Sequence, residues 1–275
     1  MPIASRDIKI SSGVRIGRAG ELFLIGGPCV IESRDRTFRL ARRLKSVCAE
    51  LNVPFIFKAS FDKANRSSIH SFRGPGLDEG LRILAEVKAE LGVPVLSDVH
   101  ETSQVERAAR VLDVIQIPAF LCRQTDLLLA AAGTHKPINV KKGQFLSPED
   151  MRNAVEKIES RGSRNIILTE RGTMFGYNNL VVDMRSIPVM KKWGYPVAID
   201  ASHSVQRPGG LGTSSGGDRE FIRVIAQAAV SAGADGVFIE VHDDPKAALS
   251  DKDNALDIKD LKTLLKTLLR LKQAL

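Results

Sequence analysis

Apolar residues fall in short runs that alternate with longer amphipathic stretches along the whole chain. The runs are Leu22–Gly26, Pro54–Lys58, Val95–Asp98, Val114–Ile117, Ile138–Val140, Ile166–Leu168, Val197–Asp200 and Gly236–Glu240. Each is three to five residues long and rich in Val, Ile, Leu or Phe. Short apolar runs of this kind predict strands buried on both faces.

The stretches between them have helical spacing. Asp35–Glu50 places Phe38, Leu40, Ala41, Leu44, Val47 and Cys48 at close to a 3.6-residue period. Asp78–Leu91 repeats the pattern with Leu81, Leu84, Val87 and Leu91. Thr102–Val111, Thr125–Ala132, Pro148–Ser160, Asp183–Trp193, Asp218–Ala232 and Asp257–Ala274 complete the predicted helices. Several open on Thr or Asp, natural N-caps. Ser147-Pro148-Glu149-Asp150 supplies a cap, a first-turn proline and two acids.

Eight strand–helix units predict an α/β fold, a (β/α)8 TIM barrel, as one domain over residues 1–275. Within residues 1–20, Ile8–Gly17 reads as a short N-terminal β-hairpin lying over the barrel's bottom. A doubly wound sheet is the alternative, but no G-x-G-x-x-G turn follows the first strand.

A barrel places its chemistry at the C-terminal strand ends. Those positions hold Cys29, Lys58 with Ser60 and Lys63, Asp98 with His100, and Gln116 with Phe120. They continue with Lys141 and Lys142, Glu170 and Arg171, Asp200 and His203, and Glu240 and His242. A purely structural barrel has no reason to gather so many ionisable groups on one rim.

Charge gives that rim a meaning. Lys and Arg number 40 against 32 Asp and Glu, a net +8, which suits either nucleic acid or small anions. Only Tyr177, Trp193 and Tyr195 add to the phenylalanines as base-stacking platforms, which weighs against nucleic acid. Lys58, Lys63, Arg66, Arg123, Lys141 and Arg171 all lie near strand ends and suit phosphate and carboxylate. Two anionic substrates, or one with two anionic ends, account for six cations on one rim.

Hydrophobic residues at 43% and no long apolar run argue for a soluble, cytoplasmic chain with no membrane partner and no signal peptide. Three cysteines argue against a disulfide framework. Cys48 falls on an apolar helix face and reads as core. Cys29, His203, Glu240 and Asp251 form a candidate site for Fe2+, Zn2+ or Mn2+. No local spacing motif unites them, but the first, seventh and eighth strands are neighbours in a closed barrel. The stretch Phe57–Ser68, a strand end and its loop with two lysines, an arginine, an asparagine and three serines, could wrap a phosphorylated polyol, or simply cap a helix. Ser202–Gly217, rich in glycine and serine, reads as a lid or as a passive loop.

The stretches GGPCVIESRD, FKASFDKANRSSIHSFRGPG, SDVHE, QIPAFLCRQTDLL, INVKKGQF, ERGTMFGYNNLVVDMRS and FIEVHDDP closely resemble the 3-deoxy-D-manno-octulosonate 8-phosphate synthases. The resemblance covers nearly the whole chain. It implies a (β/α)8 homotetramer that condenses phosphoenolpyruvate with D-arabinose 5-phosphate and water, feeding the inner sugar of lipopolysaccharide. One branch of the family is metal-independent and has asparagine where this chain has Cys29. Cys29, His203, Glu240 and Asp251 match the ligands of the metal-dependent branch.

The resemblance assigns Lys58, Ser60, Lys63, Gln116, Lys141 and Arg171 to phosphoenolpyruvate. It assigns Asn65, Arg66 and Ser67 to the sugar phosphate, with Arg66 and Ser67 able to reach in from a neighbouring subunit. Asp98 would meet the sugar hydroxyls, and Phe120 would shape the pocket and mark the subunit interface. Lys63 would polarise the aldehyde, with Asp98, His203 and Cys29 completing the catalytic set.

A related synthase uses erythrose 4-phosphate to begin aromatic biosynthesis and carries a Lys-Pro-Arg-Thr loop. Here the loop reads Lys63-Ala64-Asn65-Arg66-Ser67-Ser68, which points to the five-carbon aldose. Ser202 stands where the family commonly has threonine and keeps the hydroxyl. The alternatives are that related synthase, a Schiff-base aldolase using Lys58 or Lys141, and a basic nucleic-acid-binding protein.

Overall fold

A computed structural model describes residues 5–209 and 216–275. Its centre is a closed parallel barrel. The strands are β1 Phe23–Gly27, β2 Phe55–Lys58, β3 Val95–Asp98, β4 Val114–Ile117, β5 Ile138–Lys141, β6 Ile166–Glu170, β7 Val197–Asp200 and β8 Gly236–His242. Each pairs with the next, and β8 pairs with both β7 and β1 to close the ring. The helices are α1 Arg34–Glu50, α2 Leu77–Leu91, α3 Thr102–Ala109, α4 Thr125–Gly133, α5 Met151–Glu159, α6 Ser186–Lys191, α7 Ile222–Ser231 and α8 Ile258–Gln273. The predicted (β/α)8 architecture is therefore present.

Strand alternation builds the interior. Phe23, Ile25, Ile56, Leu96, Val114, Ile167, Ala198 and Phe238 form an inner apolar cluster with Ile8, Ile10 and Ile16. The last three belong to an N-terminal hairpin, Ile8–Lys9 paired with Arg15–Ile16, which plugs the barrel's bottom as expected. One residue further along, Phe57, Ile115, Leu168, Ile199 and Ile239 face outward into the cluster shared with the helices. The next inward position on β2 to β8 is polar: Lys58, Asp98, Gln116, Lys141, Thr169, Asp200 and Glu240. A period of two thus stacks a polar layer on an apolar one.

The helix boundaries shift for local reasons. Ser147 Oγ accepts the Asp150 amide at 3.3 Å, so Pro148–Asp150 is spent as a turn before α5 begins. Asp218 is taken by Arg207 at 2.9 Å instead of capping, and a 3-10 turn, Arg219–Phe221, precedes α7. The Asp183 carboxylate accepts the Arg185 amide at 2.9 Å, which delays α6. A hairpin, Thr173–Gly176 with Asn179–Val181, follows β6 and was not expected, since its side chains are mostly exposed and lack a buried-strand pattern. Cys48 is buried in α1 as predicted. Among the described residues, no helix is long and apolar enough to cross a membrane.

Candidate active site

A cavity of about 760 Å³ opens at the C-terminal ends of the strands. Lys58, Lys63, Asn65, Arg66, Ser67, Asp98, Gln116, Phe120, Lys141, Arg171, His203 and Asp251 all line it. The Asn65, Arg66 and Ser67 seen here come from the same chain as the rest of the wall. Cys29, Glu240 and Ser60 are buried and are not among its lining residues. Arg123, expected among the rim cations, is exposed and does not line the cavity. Lys142 follows the outward alternation instead, where its ammonium donates to Leu146 O at 3.2 Å, Gly172 O at 3.3 Å and Thr173 Oγ1 at 3.0 Å.

Cations and carboxylates interleave in the buried layer. Lys58 Nζ lies 3.1 Å from Glu240 Oε1 and donates to Cys29 O at 2.8 Å. Lys141 pairs with Asp200, whose Oδ2 also lies 2.6 Å from His203 Nδ1. Burial, set against the Asp200 carboxylate and reinforced by Lys58 and Arg171, pulls the Lys141 ammonium down to about 8. Burial pushes Asp98 upward, but Lys63 and His100 outweigh it and hold the carboxyl well below its ordinary range. Ser60 Oγ donates to Asp98 Oδ1 at 2.5 Å, so this serine orients a site carboxylate.

Gln116 is oriented by a chain of hydrogen bonds across three strands. Thr169 Oγ1 donates to Asn139 Oδ1 at 2.6 Å, and Asn139 Nδ2 donates to Gln116 Oε1 at 2.9 Å. With its oxygen engaged, Gln116 can turn its NH2 toward a carboxylate in the cavity. Arg171 donates to His203 O and Gln206 Oε1, each at 3.1 Å, and its Nε has no partner among the described residues. Arg66 lies 3.9 Å from Asp251 Oδ1.

The predicted metal ligands converge. Single donor atoms of Cys29, Glu240 and Asp251 all lie within 4.8 Å of one another. His203 Nε2 stands 3.5 Å from Glu240 Oε1 and 3.6 Å from Asp251 Oδ2. Asp200 engages Nδ1, which fixes the ring and leaves Nε2 facing Glu240 and Asp251. Glu240 Oε2 is buried without a partner among the described residues. Burial, Asp251 and Glu240 together push the Cys29 thiol well above its ordinary value. A thiol, an imidazole and two carboxylates gathered in this way fit a borderline divalent cation. Asp251 holds φ +47°, a left-handed conformation that aspartate tolerates better than most residues.

Residues 5–275 match the DAHP synthetase I family. The chain belongs to that family. Among its curated relatives is the 2-dehydro-3-deoxyphosphooctonate aldolase of Trichlorobacter lovleyi, 61% identical over 96% of this chain and 97% of that protein. Those of Geobacter sp. (strain M21) and Pelobacter propionicus are each 62% identical over 96% of this chain, covering 96% and 97% of their own lengths.

Three features of this family member escaped the sequence reading. Asp200 stands at a strand end with no role evident from the sequence, yet it joins Lys141 to His203. Ser250 Oγ lies 2.8 Å from Cys29 Sγ, a contact across 221 positions with no local signal. Gln144 and Gln206 line the cavity, and nothing in composition marked them. The Ser202–Gly217 loop is described in part. Gln206–Arg207 pairs with Gly216–Gly217, and residues 210–215 of the expected lid lie outside the described residues.

Proposed function

We propose that the chain condenses phosphoenolpyruvate with D-arabinose 5-phosphate and water, giving 3-deoxy-D-manno-octulosonate 8-phosphate and inorganic phosphate. The observation that carries this is one cavity where Lys58, Lys63, Arg66, Lys141 and Arg171 converge. The relatives supply the carbon count. Their name describes an eight-carbon acid, and three carbons from phosphoenolpyruvate plus five from the aldose make eight. Erythrose 4-phosphate would give seven.

Carbon 3 of phosphoenolpyruvate attacks the aldehyde carbon, and water adds at carbon 2. The bond from carbon 2 to the bridging oxygen then breaks, and phosphate leaves with that oxygen. Both substrates are polyanions, so holding them side by side is the first task. Lys58, Lys141 and Arg171 would bind the phosphate and carboxylate of phosphoenolpyruvate, with the Gln116 NH2 on the carboxylate. Asn65, Arg66 and Ser67 would bind the sugar phosphate. Lys63 lies among the Asp98, Glu240 and Asp251 carboxylates, whose charges outweigh burial and keep it protonated. It therefore stays a fixed cation that can donate a hydrogen bond to the aldehyde oxygen and polarise it. Asp98, fixed by Ser60 and His100, would accept from sugar hydroxyls.

Cys29, His203, Glu240 and Asp251 would hold Fe2+, Zn2+ or Mn2+, which supplies Lewis acidity toward the aldehyde or a water. The same reading takes the enzyme as cytoplasmic, as a contributor to the lipopolysaccharide inner sugar, and as a homotetramer. Exposed Phe120, Phe145, Phe175 and Tyr177 follow strand ends on one rim and support self-association. The test is phosphate release with each aldose in turn. Arabinose 5-phosphate should be used with a far higher kcat/KM than erythrose 4-phosphate; the reverse order would give the site to the related synthase. Borohydride trapping of a substrate adduct on Lys58 or Lys141 would replace this mechanism with a Schiff base.

A further inference from the structure

Phe238 lies at the junction of the two interior layers. Its ring packs with the apolar plug below and is 1% exposed. Lys141 Nζ stands 3.5 Å from the ring centroid, and Lys58 Nζ stands 5.6 Å from the same centroid. The His203 ring lies 6.2 Å away, tilted by 49°.

These two ammonium groups repel each other, and their carboxylates are shared. Asp200 serves Lys141 together with His203 Nδ1 and the His203 amide. Glu240 serves Lys58 and also faces His203 Nε2. An aromatic face attracts cations through its quadrupole yet carries no net charge. It can therefore gather the lysines without cancelling the positive potential that an incoming anion needs. A carboxylate in the same place would also gather them, but would repel the phosphate and carboxylate of the substrate.

We propose that Phe238 is a positioning residue for phosphoenolpyruvate, its ring face holding the Lys58 and Lys141 ammonium groups together above the apolar plug. This rests on the reading that those lysines bind phosphoenolpyruvate.

The test replaces Phe238 in the full-length, metal-loaded enzyme with mono-, di- and trifluorinated phenylalanine. Fluorination drains charge from the ring face while nearly preserving its size. KM for phosphoenolpyruvate should rise with each fluorine, to about three- to tenfold for the trifluoro ring. KM for arabinose 5-phosphate and the bound metal per chain should not change. A KM for phosphoenolpyruvate that stays flat across the series overturns the proposal, because a ring that only fills space would behave that way. Lys58→Met and Lys141→Met separate the two levels. If both leave the phosphoenolpyruvate KM unchanged, the underlying reading fails. If they raise it and the fluorine series is flat, only the role of Phe238 fails.

Discussion

Glu32 ties together two of the chain segments that carry the candidate metal donors, those of Cys29 and Asp251. It lies three residues after Cys29, and its Oε1 accepts the Leu249 amide at 2.8 Å. Leu249 leads directly into Ser250 and Asp251, which stand 2.8 and 3.1 Å from Cys29 Sγ. Arg36 and His242 hold the same carboxylate. Glu32→Ala removes a charge-assisted bond to the loop and the ion pair with Arg36. Charged hydrogen bonds contribute about 1.5–3 kcal/mol each, and the partial exposure of Arg36 and Leu249 favours the low end. The carboxyl gives a second bound. Burial pushes it up, but His242, the Leu249 amide and Arg36 bring it from an ordinary 4.5 down to about 2. At ~1.4 kcal/mol for each pH unit, that is at most about 3.5 kcal/mol before solvent screening reduces it. A lowered carboxyl stabilises the fold above pH 4.5, and that share disappears as pH falls toward 2. Glu32→Ala should therefore lower Tm near neutral pH and narrow its gap from the parent in acid. Losing a residue that orients a metal ligand typically costs about 10- to 100-fold in metal affinity. Co2+ titration, followed by the thiolate-to-metal absorption band, reads that directly. A destabilised variant that binds Co2+ with parental affinity would refute the positioning role and leave Glu32 a fold residue only.

Three further outcomes are expected. Chelation should remove most activity, and Mn2+ or Fe2+ should restore it; full turnover by enzyme shown to be metal-free by elemental analysis would contradict the cation site. Cys29→Asn should keep partial turnover that no longer needs metal, because the metal-independent branch carries asparagine there; a folded but dead variant would count against this. Gly27→Ala would drive a Cβ into the Lys58 carbonyl oxygen, forcing β1 from β2 beside Lys58. A stability loss of about 1–3 kcal/mol with a raised phosphoenolpyruvate KM is expected, and an unchanged Tm would show that the strands part freely.

The barrel was legible because parallel strands buried on both faces read as short apolar runs, and all eight lie where those runs fall. Helix starts were less legible, because acids such as Asp218 had tertiary partners that outcompeted capping. The rim was legible as a set of strand ends but too inclusively. Lys142 and Lys141 are adjacent in sequence, yet alternation sends one behind the barrel and the other into it. Cys29 and Asp251 could be paired only through the resemblance and the closed ring, since 222 positions separate them. Ser250, Gln206 and Glu32 act through loop geometry that no local pattern encodes.

Turnover of phosphoenolpyruvate labelled with 18O in its bridging oxygen, with arabinose 5-phosphate present, reads both the substrate pair and the bond that breaks. The label should appear in inorganic phosphate, and none should form when the aldose is omitted. Label retained on carbon 2 of the sugar acid, or phosphate released without the aldose, would contradict a site built to condense two phosphorylated substrates.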